Sequence, residues 1–589
     1  MQRAIVINVL VFLMINANAQ PKYFQKTMDP IGSHQHVTNV VNIGNGNFFA
    51  TGSHFYYEYE TPFGVIIDKQ GNPINLTEYT TIFPINKVYD FVESDNNHVS
   101  IGTTFNVARD TSYIVLQQID TTCQLISTQF VAPDNLYKGA FCLESTNNNT
   151  FTIGGFSIIY TPNYDPWVAY AAKTTATGEV LWQHRYSVDF DTTKLSYIYQ
   201  ILAIPQSSDV FYFGVCDVVS DVNPTQGDIF MARADSSGTI LWKQKYNFNF
   251  DSRDAIGRAV WTPDQKIAFV GLYGTPTGGR RGLVGKVDTL GNLIWWHALE
   301  EIHLVEKFLI VNEGREYVLA GKRYMPPTYN QSNLCIAKTD SSGNVLWARD
   351  YGGPEKDYGY CIAPTNDGGY LVMGRKDTSA IGKALVYMVK TNCMGLLTEP
   401  QAAFSTYQTG DSPLEVGFQN LSQYVYPDSI DGGYYVWDFG DGSPPFVCGQ
   451  GYGACPALVT HDYATQGQYA ATLTAFVCTD TATVTQQFSV VPTAVGQVAV
   501  PTYHISVLPN PASEVLHLEA VGALSSSHEL QFSLYDAMGR AVRRLALRAN
   551  GGSVCLDIAD LPQGLYFWTC YSPDAVLQSG RVVIGGLGF

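Results

Sequence analysis

Asp340-Ser-Ser-Gly343-Asn-Val-Leu-Trp347 decides the fold, because the chain repeats it. The same turn and tryptophan return as Asp235-Ser-Ser-Gly238-Thr-Ile-Leu-Trp242, Asp288-Thr-Leu-Gly291-Asn-Leu-Ile-Trp295 and Thr174-Thr-Ala-Thr-Gly178-Glu-Val-Leu-Trp182. Degenerate copies stand at Asp68-Lys-Gln-Gly71, Asp120-Thr-Thr-Cys123 and Asn392-Cys-Met-Gly395. The turn positions 71, 123, 178, 238, 291, 343 and 395 are 52, 55, 60, 53, 52 and 52 residues apart. Asp hydrogen-bonds the backbone two residues on and Gly takes the positive-φ position, so each copy closes a tight hairpin. Beyond the turn, Val180, Trp182, His184 and Tyr186 share one strand face, as do Ile240, Trp242, Gln244 and Tyr246, and Val345, Trp347, Arg349 and Tyr351. The tryptophans are expected to be core residues through which one sheet packs on the next, not ligand contacts.

A second hairpin alternates with the first. Its copies end at Gly52, Gly102, Gly154, Gly214, Gly271, Gly321 and Gly374, and Asp367-Gly-Gly-Tyr-Leu-Val-Met-Gly374 is the clearest. Two hairpins per unit of about fifty residues make a four-stranded antiparallel sheet, the size of one propeller blade. Seven units predict a seven-bladed β-propeller over residues 20–399. The region resembles the PQQ-like and WD40-like repeat propellers. The count of seven and the lack of a vicinal Cys pair argue against a quinoprotein dehydrogenase. The Asp–Gly and Gly–Trp offsets differ from those of the sialidase Asp box.

The composition agrees with an all-β chain. Of 589 residues only 15% are charged and 13% are aromatic, with 37 Tyr, 30 Phe, 53 Gly and 28 Pro. A net charge of −17 disfavours nucleic acid as a partner and attachment to anionic membranes. Residues 1–19 read as a secretory signal peptide: Arg3, an apolar run over Ala4–Ile15, and Ala17-Asn18-Ala19 ahead of cleavage between Ala19 and Gln20. No later apolar run reaches the ~20 residues of a spanning helix, so no transmembrane segment is expected in the mature chain. Eleven Cys leave at least one unpaired. Cys448 with Cys455, and Cys555 with Cys570, are the expected bridges. No Cys/His cluster supports a structural zinc site.

Residues 400–492 resemble a PKD domain, an immunoglobulin-like sandwich. Phe404, Pro413, Val416, Phe418, Asn420 and Ser422 lead into the signature Trp437-Asp438-Phe439-Gly440-Asp441-Gly442, followed by His461-Asp-Tyr463 and Gly467-Gln-Tyr469. Asp438 and Asp441 are the candidate metal ligands, since some relatives bind calcium; turn hydrogen bonding is the alternative role, and no other cofactor is expected. After a linker over 493–503, residues 504–589 resemble the type A C-terminal sorting domain of the type IX secretion system, a small β-sandwich. Leu508-Pro509-Asn510-Pro511, Val515-Leu-His-Leu518, Leu534-Tyr-Asp536-Ala-Met-Gly539-Arg540-Ala-Val542 and Leu561-Pro-Gln-Gly564-Leu-Tyr566 carry that resemblance. It implies a Gram-negative source, Sec export, passage through the type IX machinery as partner, and release or surface attachment.

No nucleophile motif, metal signature or phosphate loop stands out in the propeller. His184 and His297 both fall two residues after a repeat Trp, a position polar in every clear copy, and so belong to the repeat. Two functions fit. One is a non-catalytic surface or secreted protein binding extracellular glycan or protein, with the propeller as platform and the PKD module as spacer or accessory binder. The other is a hydrolase or lyase of extracellular polysaccharide with carboxylates converging on the channel. Blades one and two, whose turns lack the Trp, are where a special site is expected.

Overall fold

The structure, a computed structural model, describes residues 22–491 and 504–585 apart from short inter-strand segments, the longest being 106–111, 160–166, 187–193, 219–226, 427–432 and 522–528. The signal peptide with its Ala19–Gln20 junction, the 493–503 linker and Pro511 lie outside the described residues. Residues up to Val491 form one compact unit and those from Pro492 another.

The described residues are strands joined by turns, with a single 3-10 turn at Asn312–Gly314. Seven four-stranded antiparallel sheets make up the repeat region. In the first, His34–Gly44, Asn47–Tyr56, Tyr59–Ile67 and Pro73–Glu78 run outward in order. Successive innermost strands touch, and that of the seventh blade touches that of the first, so the ring closes. The seventh blade takes its outermost strand from the other end of the repeat region: Phe24–Met28 pairs antiparallel with Lys383–Thr391, in register Phe24↔Lys390 to Met28↔Val386.

The quoted turn is a docking element. In six of the seven, the side chain of the first residue accepts hydrogen bonds from the backbone N–H two and four residues on, as Asp340 does from Ser342 and Asn344 at 2.9 Å each. In the third blade Thr175 holds this position instead of the expected Thr174: it accepts the Glu179 N–H on Oγ1 at 3.2 Å and the Gly178 N–H on its carbonyl at 3.1 Å. The outer strand of the preceding blade lies across the turn. Trp182 Nε1 donates to the Ser236 carbonyl at 2.9 Å, His184 Nε2 sits 2.8 Å from the Ser237 carbonyl, and Tyr186 OH donates to the Gly238 carbonyl at 2.7 Å. Tyr246 and Tyr351 repeat the last bond on Gly291 and Gly395, and Tyr79 repeats it on Cys123. Phe24 and Lys26 of the closing strand do the same work at Gly71, where a Cβ would fall 2.5 Å from the Phe24 ring.

The tryptophans are therefore half-buried straps between blades, not core residues. The deep core is built from the two middle strands of each blade, as with Phe211, Phe213, Met231 and Phe269 between the fourth and fifth. Trp182→Ala is expected to lower the urea-unfolding free energy by about 2 kcal/mol, below the 3–5 of a fully buried aromatic.

The PKD module is a two-sheet sandwich, with Phe404–Gln408, Glu415–Asn420 and Val459–Asp462 against Phe446–Gly449, Tyr434–Asp438, Gly467–Val477 and Asp480–Val490. Trp437 is wholly buried at its centre, edge-on to Phe404 and Phe418. The PKD module is tied to the propeller by more than the chain connection. Cys393, in the last propeller turn, is disulfide-bonded to Cys478. Lys22 and Tyr23, just ahead of the closing strand, both reach Asp480, the tyrosine at 2.6 Å. Thr479 Oγ1 donates to the Asp367 carbonyl at 2.6 Å.

The C-terminal unit is a sandwich of a three-stranded and a four-stranded sheet around Leu516, Phe532, Leu534, Trp568 and Val582. The expected Cys555–Cys570 bridge is absent. Cys555 lies in the three-stranded sheet and points to solvent beside His517, whereas Cys570 lies in the other sheet and points into the core.

Candidate functional site

The second set of repeated glycines does not end hairpins. Each sits inside the second strand of its blade, opposite a β-bulge in the innermost strand. A Cβ on Gly321 would lie 1.8 Å from the Leu304 carbonyl oxygen, and Gly52, Gly214, Gly271 and Gly374 would meet the corresponding oxygen at 2.0–2.1 Å. In the third blade Gly155 takes this place rather than Gly154, at 1.9 Å from the Gly139 oxygen. Without a side chain there, the inner strand can press in and bulge.

The register shifts fall between Val37/Asn39, Val88/Asp90, Ala140/Cys142, Ile198/Gln200, Ile256/Arg258, Val305/Lys307 and Gly359/Cys361, one per blade. The bulged residues Thr38, Phe141, Tyr199, Gly257, Glu306 and Tyr360 line a cavity of about 290 Å³ on the channel axis. Phe141 and Tyr199 lie 5.9 Å apart, and Tyr360 meets His36 edge-on at 6.2 Å and stacks on Tyr358 at 5.9 Å.

The residues just after the bulges make the floor. Asn39 Nδ2 donates to Asp90 Oδ1 at 2.9 Å, and Lys307 Nζ donates to Asn39 Oδ1. Arg258 Nη1 stands 3.5 Å from Asp90, and Lys307 Nζ 4.0 Å from it. Blades one and two thus face blades five and six across the channel, and the buried Asp90 carboxylate is held between two cations. Burial pulls the Lys307 ammonium below its ordinary value, with Asp90 opposing. Gln200 clamps the next blade, donating to the Ala259 carbonyl at 2.7 Å and accepting its N–H at 2.5 Å. Glu144, further down the third inner strand, accepts the Ala203 N–H at 3.2 Å; burial pushes its carboxyl up to about 7. The bulges lie in the first half of each inner strand, while the PKD seam at Asp367 and Cys393 lies at the turns beyond the strand ends. The aromatic mouth and the PKD module therefore occupy opposite ends of the ring.

The irregular turns of blades one and two lie at the outer rim, remote from this cavity. Sequence inspection missed the channel residues because a bulge residue carries no motif of its own. Counting back 13–15 residues from each of Gly52, Gly102, Gly154, Gly214, Gly271, Gly321 and Gly374 marks the bulge column, Thr38 to Tyr360. His184 and His297 are placed in the blade straps, His297 against Gly343.

In the PKD signature, Asp438 Oδ1 accepts the Gly440 N–H at 2.9 Å and Asp441 Oδ1 the Ser443 N–H at 3.0 Å. Asp441 Oδ2 is 2.7 Å from His461 Nε2, whose ring stacks on Phe439. Among the described residues no group of three or more His, Cys, Asp or Glu side chains is set to hold a metal ion. Tyr463 OH donates to the Phe439 carbonyl at 2.9 Å and Tyr469 packs on Tyr463, so these residues fix the returning strand. Gly440 and Gly442 take φ of 76° and 82° in the turn, and Gly467 opens the next strand. Cys448 and Cys455 are bridged across the loop that carries Tyr452.

Burial opposes ionisation of Asp441, but the Ser443 and His461 hydrogen bonds win and hold its carboxyl at about 2, below its ordinary 3.8. A depressed carboxylate stabilises the fold above its unfolded value and loses that contribution as pH falls through the folded one. Between about pH 4 and pH 2 the Asp441→Asn variant is expected to show a flatter fall in melting temperature than the parent, read by thermal scans across that range.

In the sorting unit, Asn510 brackets the last strand, donating to the Arg581 carbonyl at 3.2 Å and accepting the Val583 N–H at 2.9 Å. Asp536 accepts the Arg540 N–H at 3.0 Å and its Nε at 2.8 Å around Gly539, which has φ 76°. Gly564 opens the strand whose buried Tyr566 donates to the Pro562 carbonyl at 2.8 Å; Pro509 follows Leu508 through a cis peptide.

Comparison with known proteins matches residues 405–488 to the PKD domain family and residues 506–584 to the secretion system C-terminal sorting domain family. No curated protein matches the chain. Among solved structures, the PKD1 domain of Vibrio anguillarum Epp is 26% identical over 16% of this chain and 96% of its own, with a TM-score of 0.13. The β-propeller domain of the Trilobed protease from Pyrococcus furiosus is 10% identical over 62% and 96%, with a TM-score of 0.36. Kuenenia stuttgartiensis hydrazine synthase is 10% identical over 60% and 95%, with a TM-score of 0.38. Among the described residues no helix is long and apolar enough to cross a membrane. The chain is a β-propeller joined to a PKD domain and ending in a type IX C-terminal sorting domain, which makes it a secreted or cell-surface protein recognised by the type IX secretion machinery.

Proposed function

We propose that this protein is a non-catalytic binder of extracellular glycan, seated at the aromatic mouth of the propeller channel. The observation that carries it is the bulge ring, which brings residues from six different blades around one concave cavity with three aromatic rings. The ionisable groups beneath are engaged with one another, Asp90 with Arg258, Lys307 and Asn39, which suits a rigid seat better than proton transfer. The PKD module, strapped to the opposite end, leaves the mouth clear and acts as a fixed base. Sec export with cleavage after Ala19, and removal of the sorting unit within 493–503, complete the maturation; the secreted form then begins at Gln20, which N-terminal sequencing and intact mass check.

One observation favours the hydrolase or lyase reading: Glu144, with a carboxyl near 7, is suited to act as a general acid. Its carboxylate is turned to the neighbouring blade, and it is absent from the cavity wall. A glycan array probed with the mature protein, run beside a polysaccharide depolymerisation assay, separates the two. Retention without product is expected. Product formed at turnover and lost in Glu144→Gln would establish the enzyme.

A further inference from the structure

We infer that the channel mouth selects an acidic saccharide, a sugar ring bearing a carboxylate that the Arg258 guanidinium receives. This rests on the binding role proposed above and specifies its ligand.

The floor holds one carboxylate against two cations. Arg258 approaches Asp90 only to 3.5 Å and Lys307 to 4.0 Å, an attractive arrangement but too long for either to be a good hydrogen bond. A guanidinium carries five N–H donors in a planar fork matched to a carboxylate, and Arg258 keeps about 30% of its side chain exposed while lining the cavity. Gly257, just before it, has no side chain to cover the fork, and a Cβ there would lie 2.5 Å from the Val305 carbonyl. Glu306 on the rim and Arg375, which is bound to Asp377 at 2.6 Å, complete the charged lining. With Asp377 counted against Arg375, three cations meet three carboxylates, so the mouth is locally balanced in a chain whose net charge is −17. Against that balanced background the exposed Arg258 fork favours an anionic group that reaches the axis, while the acidic surface around it repels polyanions that cannot.

Size and walls give the rest of the ligand. About 290 Å³ is at the small end of ligand pockets, which limits the seated part to a terminal ring or two. Phe141, Tyr199 and Tyr360 offer flat apolar faces at the rim for the C–H faces of that ring.

The test is calorimetry on the mature secreted protein at low salt, with methyl glucuronide, methyl glucoside and N-acetyl-aspartyl-glutamate as probes. The glucuronide is expected to bind about tenfold tighter than the glucoside, the worth of one charge-assisted hydrogen-bonded pair. Arg258→Met, checked for an unchanged melting curve, removes that preference, while Arg258→Lys keeps part of it and Tyr199→Ala weakens both sugars alike. If the glucoside binds as well as the glucuronide, or if Arg258→Met keeps the preference, the acidic class is wrong and the binding seat stands. Tighter capture of the acidic dipeptide overturns the saccharide class. If Tyr199→Ala changes neither sugar, the channel-mouth seat itself fails.

Discussion

Gly321→Ala is expected to unfold the sixth blade or prevent its assembly, with a loss at or above about 3 kcal/mol, the top of the usual range for overpacking. The added Cβ would sit 1.8 Å from the Leu304 carbonyl oxygen, and that atom is backbone, held by the strand pairing on both sides of the bulge. A side chain could rotate away; a bulged main chain held between two blades cannot. The same reasoning applies to Gly52, Gly214, Gly271 and Gly374, so the effect is a property of the column and not of one blade. Gly353→Ala is the control. Its Cβ would meet only the end of Lys376 at 3.6 Å, and a change within about 0.5 kcal/mol is expected. Urea unfolding of both variants measures the contrast, and near-equal midpoints would remove the steric account of the bulge ring.

The Cys393→Ala/Cys478→Ala double variant should give the second large effect. The bridge closes a loop of 85 residues, and chain-entropy arguments place the contribution of such a loop at about 4.5 kcal/mol. The Cys448–Cys455 bridge spans only 7 residues and is worth about 2 kcal/mol on the same basis. Removing the long bridge leaves Tyr23 and Lys22 on Asp480, Thr479 on the Asp367 carbonyl, and the packing of Met394, Leu396 and Trp347 against the PKD core to hold the module. A scanning calorimetry trace is expected to split, with the PKD module melting first, and limited proteolysis should then cut near the 398–403 connection. A single unshifted transition in the double variant would show that the remaining polar and apolar contacts suffice.

Much of the architecture was legible because propeller blades repeat the same local chemistry. The Asp-x-x-Gly turn states its own hydrogen bonds, and Trp, polar residue and Tyr at alternate positions state that one strand face meets something at a fixed offset. What they meet was not legible: the partner is the next turn about fifty residues on, a relation between copies that no single copy contains. That is why Trp182 reads as core in the sequence and is a strap in the structure. The candidate site was hidden for a related reason. Asp90, Arg258 and Lys307 come from blades on opposite sides of the ring and meet only after it closes. The closing strand Phe24–Met28 has neither Gly turn nor Trp, so nothing local marks it as the seventh blade's edge. The PKD and sorting signatures, in contrast, are contiguous and were readable at once.

Of the described propeller strands, the first along the chain is the last to find its partner. Phe24 pairs with Lys390, so 366 residues must follow it before its partner exists. At ordinary rates of synthesis of about 5–20 residues per second, that is a wait of roughly 20–70 s with an unpaired β-edge exposed. The ring therefore cannot be completed blade by blade as the chain emerges; closure is a single late event that commits both ends together. Tyr23 and Lys22 reach Asp480 later still, so the seating of the PKD module reports that closure has happened. For a protein destined to leave the cell, this ordering ties the finished shape to delivery of the nearly complete chain.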